Sequence, residues 1–111
     1  MAVGDRTEKR LGGPTQLGTT TTTIGTVPAA RNWVIKQIII CNTDTTDRTV
    51  TLSVGTAATA ANRIMSALPI GANDIMVFDT ALVLTAAETL QGLADSASLI
   101  NVTLVGWEKE V

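Results

Sequence analysis

Thr26-Val27-Pro28-Ala29-Ala30-Arg31-Asn32-Trp33-Val34-Ile35-Lys36-Gln37-Ile38-Ile39-Ile40-Cys41-Asn42-Thr43 decides the fold of this chain. Pro28 marks a turn, a run rich in β-branched residues follows, and Asn42-Thr43-Asp44 closes it. β-Branched side chains are stiff at χ1 and pack well on a pleated surface, so residues 33–41 read as one long strand. Strict alternation places Trp33, Ile35, Gln37, Ile39 and Cys41 on one face and Val34, Lys36, Ile38 and Ile40 on the other. Both faces are mostly apolar. A strand with one wet face alternates apolar with polar, so this one is expected to be covered on both sides, by a second copy or a neighbouring protein.

Working outward, residues 49–54 alternate without a fault, with Val50, Leu52 and Val54 inward and Thr49, Thr51 and Ser53 outward. The loop 42–48 between these two strands is expected to be a hairpin connection. Residues 15–27 hold a threonine run anchored by Ile24 and Val27 and read as an edge or outer strand. Residues 55–62 read as a loop or a short helical turn. Residues 63–70 alternate again, with Ile64, Leu68 and Ile70 on one face, and 75–78 form a short strand. Residues 80–90 carry two readings. Leu82, Ala86 and Leu90 have helical spacing, and Thr85…Glu88 matches a capping box; alternatively 82–84 and 89–93 are strands around a tight turn, which the period-2 neighbours favour. Residues 99–107 close the chain as a long strand, Ile100, Val102 and Leu104 inward and Asn101, Thr103, Val105 and Trp107 opposite.

The pattern is all-β. Eight short strands separated by turn residues indicate an antiparallel β-sandwich, and eight strands in two sheets make it jelly-roll-like. Residues 1–14 are charged, lack periodicity and end in Gly12-Gly13-Pro14. They read as an extended N-terminal arm, up to about 45 Å long when stretched, ahead of a sandwich domain of residues 15–111.

The composition bounds the function. The 111 residues suffice for one domain with a modest core, and 45% apolar against 16% charged content specifies a folded chain. Aromatics make up only 3%, so the core is aliphatic. A net charge of −2 provides no basic footprint, and no nucleic acid is expected as a partner. The polar N-terminus has no apolar signal segment and no apolar run approaches a membrane span, so cytoplasmic synthesis without a membrane partner is expected. A single cysteine makes no internal disulfide.

Catalytic groups are scarce. Without histidine there is no imidazole base, shuttle or ligand, and Cys41 reads as a buried inert thiol. Asp44 and Asp47 share a loop and Asp74 and Asp79 flank a strand; without EF-hand spacing, turn capping is their expected work rather than calcium binding. Gly13 to Gly18 has the glycine frame of a phosphate loop but lacks its lysine. No enzyme activity, metal or cofactor is expected. Trp33 and Trp107 divide between core and subunit interface, Trp107 leaning to the interface.

Ile24-Gly25-Thr26-Val27-Pro28-Ala29, the strand 33–41 ending Cys41-Asn42-Thr43, Thr49-Val50-Thr51-Leu52-Ser53-Val54, residues 90–95 and residues 99–106 before Glu108 resemble small virion proteins of tailed bacteriophages. The resemblance covers roughly residues 15–110. It implies a non-enzymatic jelly-roll module located in the virion, a homo-oligomer with a trimer favoured. It also implies that the module decorates or cements a capsid; the alternative is a neck, tail or fibre component. A carbohydrate- or receptor-binding module is a weaker reading in a chain so poor in aromatics. The expected partners are the major capsid protein or neighbouring virion proteins. The expected assembly residues are Arg6, Lys9 and Arg10 pairing with a neighbour's carboxylates, Leu11 and Leu17 filling its apolar notches, and Trp33, Lys36 and Trp107 on the sandwich.

Overall fold

The computed structural model describes residues 6–57 and 59–110. Its strands are β1 Arg6–Gln16, β2 Thr22–Thr26, β3 Arg31–Asn42, β4 Arg48–Gly55, β5 Arg63–Ile70, β6 Ile75–Leu84, β7 Thr89–Ala94 and β8 Ile100–Glu110, with a single 3-10 turn at Ala60–Asn62. Two antiparallel four-stranded sheets result, ordered β1-β8-β3-β6 (the first sheet) and β2-β7-β4-β5 (the second). The pairs β1–β8, β2–β7, β3–β6 and β4–β5 are those of one long hairpin. Folding that hairpin over on itself adds β3–β8 and β4–β7. This is the jelly roll that the strand count indicated.

Three local expectations change. The loop 42–48 is no hairpin, because β3 lies in the first sheet and β4 in the second, so the chain crosses between layers there. The segments 75–78 and 82–84 are one strand, β6, irregular around Thr80 where its register with β3 jumps from Asp79 to Leu82. Residues 6–14, read as an arm, belong to β1, which pairs with β8 from Arg6↔Lys109 to Gln16↔Asn101. The merger and the added strand cancel, so the count stays at eight. β1 was hidden from pattern reading because it carries one large apolar residue, Leu11, and slips register twice, at Arg10/Gly12 and Gly12/Thr15. The Thr85–Glu88 segment is the tight turn: Glu88 Oε1 accepts from the Thr85 amide at 2.7 Å and hydroxyl at 2.8 Å. Capping-box chemistry here closes a turn between the two sheets.

The largest departure lies in β3. Its register shifts between Ile35 and Gln37 against β8, where the consecutive residues Gly106 and Val105 of β8 face Ile35 and Gln37 of β3 with Lys36 left over. Such a bulge adds one residue to one strand and so reverses the inside–outside parity beyond it. Trp33 and Ile35 point inward before the bulge, and Ile38, Ile40 and Asn42 point inward after it. Ile39 and Cys41, assigned by strict alternation to the face of Trp33, therefore lie on the outer face. Much of the two-sided apolar character of this strand is this change of phase.

The core follows the corrected parity. Ile35, Ile40, Val50, Leu52, Ile70, Leu90, Ile100, Val102 and Leu104 are fully buried between the sheets, each stabilising the fold by about 1.5–3 kcal/mol relative to exposure. The inward sets expected for residues 49–54 and 99–107 are borne out at Val50, Leu52, Ile100, Val102 and Leu104. The polar side chain most deeply buried among the described residues joins them. Asn42, at the end of β3, donates through Nδ2 to the carbonyls of Thr46, Ile70 and Gly71 at 3.0, 3.1 and 3.1 Å and accepts from the Asp44 amide at 2.9 Å. It satisfies the backbone of the crossing loop where water is excluded.

Candidate functional site

The outer surfaces of the two sheets differ in chemistry. On the second sheet, Thr51, Ser53, Arg63 and Gln91 gather with Leu93 and Thr21. The polar groups there bond to one another and to backbone: Gln91 donates to Thr89, Thr89 to the Gly55 carbonyl, and Thr51 accepts from the Ala67 amide. On the first sheet the register aligns Val83 with Val34, Val77 with Ile39 and Ile75 with Cys41 across β6 and β3. It also aligns Val34 with Trp107 and Gln37 with Val105 across β3 and β8. Ile75, Val77 and Val83 are 55%, 51% and 59% exposed. The result is a largely apolar sheet face spanning three strands, relieved by Gln37 and Asp79, which bond to each other at 3.1 Å, by Lys36, and by Thr103 and Asn101 of β8 beside Ile39 and Cys41.

The expected assembly residues fall into three groups. Lys36 and Trp107 come together on this outer face, the ammonium 5.4 Å from the ring centroid, a cation–π separation. Arg10 is exposed on β1 beside the same face, opposite Val105. Leu11, Leu17 and Trp33 are not presented to a neighbour: they are 7%, 1% and 4% exposed, inside the chain's own core. The side chain of Arg6 lies outside the described residues. Cys41, expected to be buried, is half-buried on the outer face, moved there by the bulge.

Lys9 is occupied within the molecule, in a cluster that pattern reading missed. Glu108, 8% exposed near the end of β8, accepts from Lys9 Nζ at 3.1 Å and from Trp33 Nε1 at 3.2 Å, with Arg31 Nε at 4.0 Å. One carboxylate thus ties β1 and β3 to the strand between them. Burial pushes the Glu108 carboxyl up, but the hydrogen bonds from Trp33 and Lys9 and the charges of Lys9 and Arg31 together outweigh it and hold the pKa below the ordinary glutamate value. Only the odd inward carboxylate after Val102, Leu104 and Gly106 in an alternating strand could have signalled it.

Several of the remaining carboxylates are engaged in turns. Asp44 takes the Arg48 guanidinium at 2.7 and 2.8 Å and the Thr45 amide, which hold its carboxyl low. Asp47 accepts from the Ala72 amide and Asp74 from the Ile75 amide. Among the described residues, no three potential ligands cluster around a point where a metal would sit.

A second apolar feature adjoins the sheet face. Between the edge strands β5 and β6 the sandwich gapes into a cleft of about 570 Å³ lined by Ile38, Ile64, Met65, Leu68, Phe78 and Leu82, with Thr80 the polar side chain among its described lining residues. The opposite edge is shut, with the Gly12 and Gly25 backbones packed closely against Ile24 and Trp33.

No protein-family model matches this sequence, and no curated protein matches it. Solved structures with some likeness include infectious bursal disease virus, Gt strain, at 7% identity and a TM-score of 0.44, covering 96% of this chain and 29% of that one. A pentameric capsid protein isolated from metagenomic phage sequences matches at 20% identity and a TM-score of 0.38, covering 92% and 61%. An exo-β-1,3-galactanase from Phanerochaete chrysosporium matches at 20% and 0.38, covering 99% and 29%. The chain spans less than two thirds of each. These likenesses are too distant to bear on function; the jelly-roll assignment rests on the strand order itself.

Proposed function

We propose that this protein is a non-enzymatic structural component of a bacteriophage virion that works by assembling, as a homo-oligomer bound to the shell, in the manner of a capsid decoration or cement protein. The observation that carries the reading is the unlike chemistry of the two sheet faces. A polar second sheet and a largely apolar first sheet are what a subunit shows when one side meets water and the other meets protein. The sequence resemblance to small tailed-phage virion proteins supplies the particle; the apolar face supplies the mode of binding. Affinity would come from repetition of that face in a symmetric oligomer rather than from isolated surface ion pairs worth about 0–1 kcal/mol each. With Leu11, Leu17 and Lys9 committed internally, anchoring to a neighbour falls to the charged edge at Glu8 and Arg10 and to the face around Ile39, Val105 and Trp107.

Two measurements test this. Decoration predicts hundreds of copies in purified particles of the encoding phage, whereas a neck or tail component predicts a few to tens, so quantitative mass spectrometry of virions separates the two. Ile39→Asp, at the centre of the outer face, is expected to keep the wild-type melting curve and lose particle association. Undiminished binding by that variant would refute the face as the contact.

A further inference from the structure

The four sheet edges of this molecule are not equally protected. β1 carries Glu8, Lys9, Arg10 and Pro14; β2 is five residues long; β5 has Arg63 and Pro69 and is kinked at Ala67, which has φ 48°. Charges, prolines, short length and irregularity are the devices that keep an edge from pairing with another chain. β6, Ile-Met-Val-Phe-Asp-Thr-Ala-Leu-Val-Leu, has ten residues, a single charge and no proline. Among the described residues it is also uncovered on three sides. Ile75, Val77 and Val83 stand out on the sheet face, Phe78 and Leu82 line the open cleft, and the strand borders only β3. Asp79, its one charge, is turned onto Gln37 of β3.

We infer that β6 is a pairing edge, and that its occupant is β6 of a second copy, joined across a two-fold axis so that the first sheet runs on as eight strands through both molecules. Backbone groups left open along an edge are satisfied by another strand, and side chains of that strand cover both flanks at once, the outer face and the cleft. The occupant must itself be an apolar strand with an unguarded edge. Among the described strands only β6 meets that requirement, and a contact of one edge with itself is isologous and closes at two copies. The size is adequate. Ten residues extend about 33 Å, and the molecule is 19 Å across its thinnest axis. The edge therefore offers a strip of roughly 600 Å² in projection, close to the about 800 Å² per partner of a standard interface.

This inference rests on the reading that the protein assembles, but it places a self-contact at an edge, distinct from the sheet face argued to meet the shell. The experiment compares wild type, Val77→Lys/Val83→Lys and Ile39→Asp by sedimentation over a concentration series up to about 0.5 mM, with amide hydrogen exchange at low and high concentration. Lysines on an edge strand are the natural guard, and both positions are already more than half exposed, so the double variant folds. The expected result is a wild-type oligomer built on a dimer contact, at least tenfold weaker in the lysine variant and retained in Ile39→Asp, with the amides of residues 75–84 slowing as concentration rises. A wild type that stays monomeric, or an oligomer in which those amides exchange at the same rate at every concentration, overturns the pairing. If either occurs while particle binding still depends on Ile39, the edge is wrong and the assembly reading stands. If Ile39→Asp also binds particles normally, both fall.

Discussion

Gly106→Ala is the substitution that most directly probes how the β3 bulge is built. The extra residue at Lys36 pushes the β3 backbone onto β8 at Gly106, which pairs with Ile35. A Cβ placed at Gly106 would overlap the Val34 carbonyl oxygen and approach Ile35 Cα and Lys36 N at 3.0 Å each. All three are backbone atoms inside a central strand, so none can swing aside as a side-chain tip can. Overpacking of a core normally costs 1–3 kcal/mol, and here relief requires moving the bulge itself, so a loss of about 3 kcal/mol or more is expected. For a domain of this size that lowers Tm by roughly 12 °C or more. It should show in urea unfolding as a lower midpoint with unchanged slope. Gly18→Ala serves as the control, because a Cβ there meets nothing nearer than the Thr20 amide at 4.0 Å; it should fall within about 0.5 kcal/mol of wild type. A Gly106→Ala protein within about 1 kcal/mol of wild type would refute the claim that the bulge pins this position, and with it the account of why the inner face of β3 changes parity.

Two further outcomes follow from the cluster around Glu108 and from β1. Because the folded-state pKa of Glu108 lies below its ordinary value, its ion pairing stabilises the fold above that value and is lost as pH falls through the depressed one. Glu108→Gln is therefore expected to cost about 1–3 kcal/mol at neutral pH and progressively less as the pH drops to about 3, by parallel urea titrations. A gap that stays constant across that range would show that the charge contributes nothing. Deleting residues 2–13 removes Leu11 from the core, Lys9 from Glu108 and most of the strand paired with β8. Leu11 alone accounts for about 2 kcal/mol out of a typical total of 5–15. The truncated chain is expected to lose its cooperative melting transition, and a sharp transition near the wild-type Tm would contradict the integral role of β1.

The face asymmetry also explains why a chain with so little catalytic equipment is built with care. Its histidine-free sequence gives its carboxylates to turns, to the Glu108 cluster and to Asp79 on the outer face, and its branched aliphatics to both the core and one outer face.

Sequence by itself determined the fold class, because alternation is a local property: in residues 49–54 and 99–107 each side chain's face follows from its neighbours two positions away. The turn at Thr85–Glu88 was legible for the same reason. Tertiary structure alone decided three things. It decided that β1 is a strand, since a segment with one Leu and two register slips is held by pairing with β8 and by Glu108, partners nearly a hundred residues away. It decided that the crossing loop at Asn42 joins two layers, because nothing local distinguishes a hairpin from a crossover of equal length. And it decided which residues of β3 face out, because a single extra residue at Lys36, accommodated only by the bare backbone of Gly106, reverses the inside and outside of everything that follows.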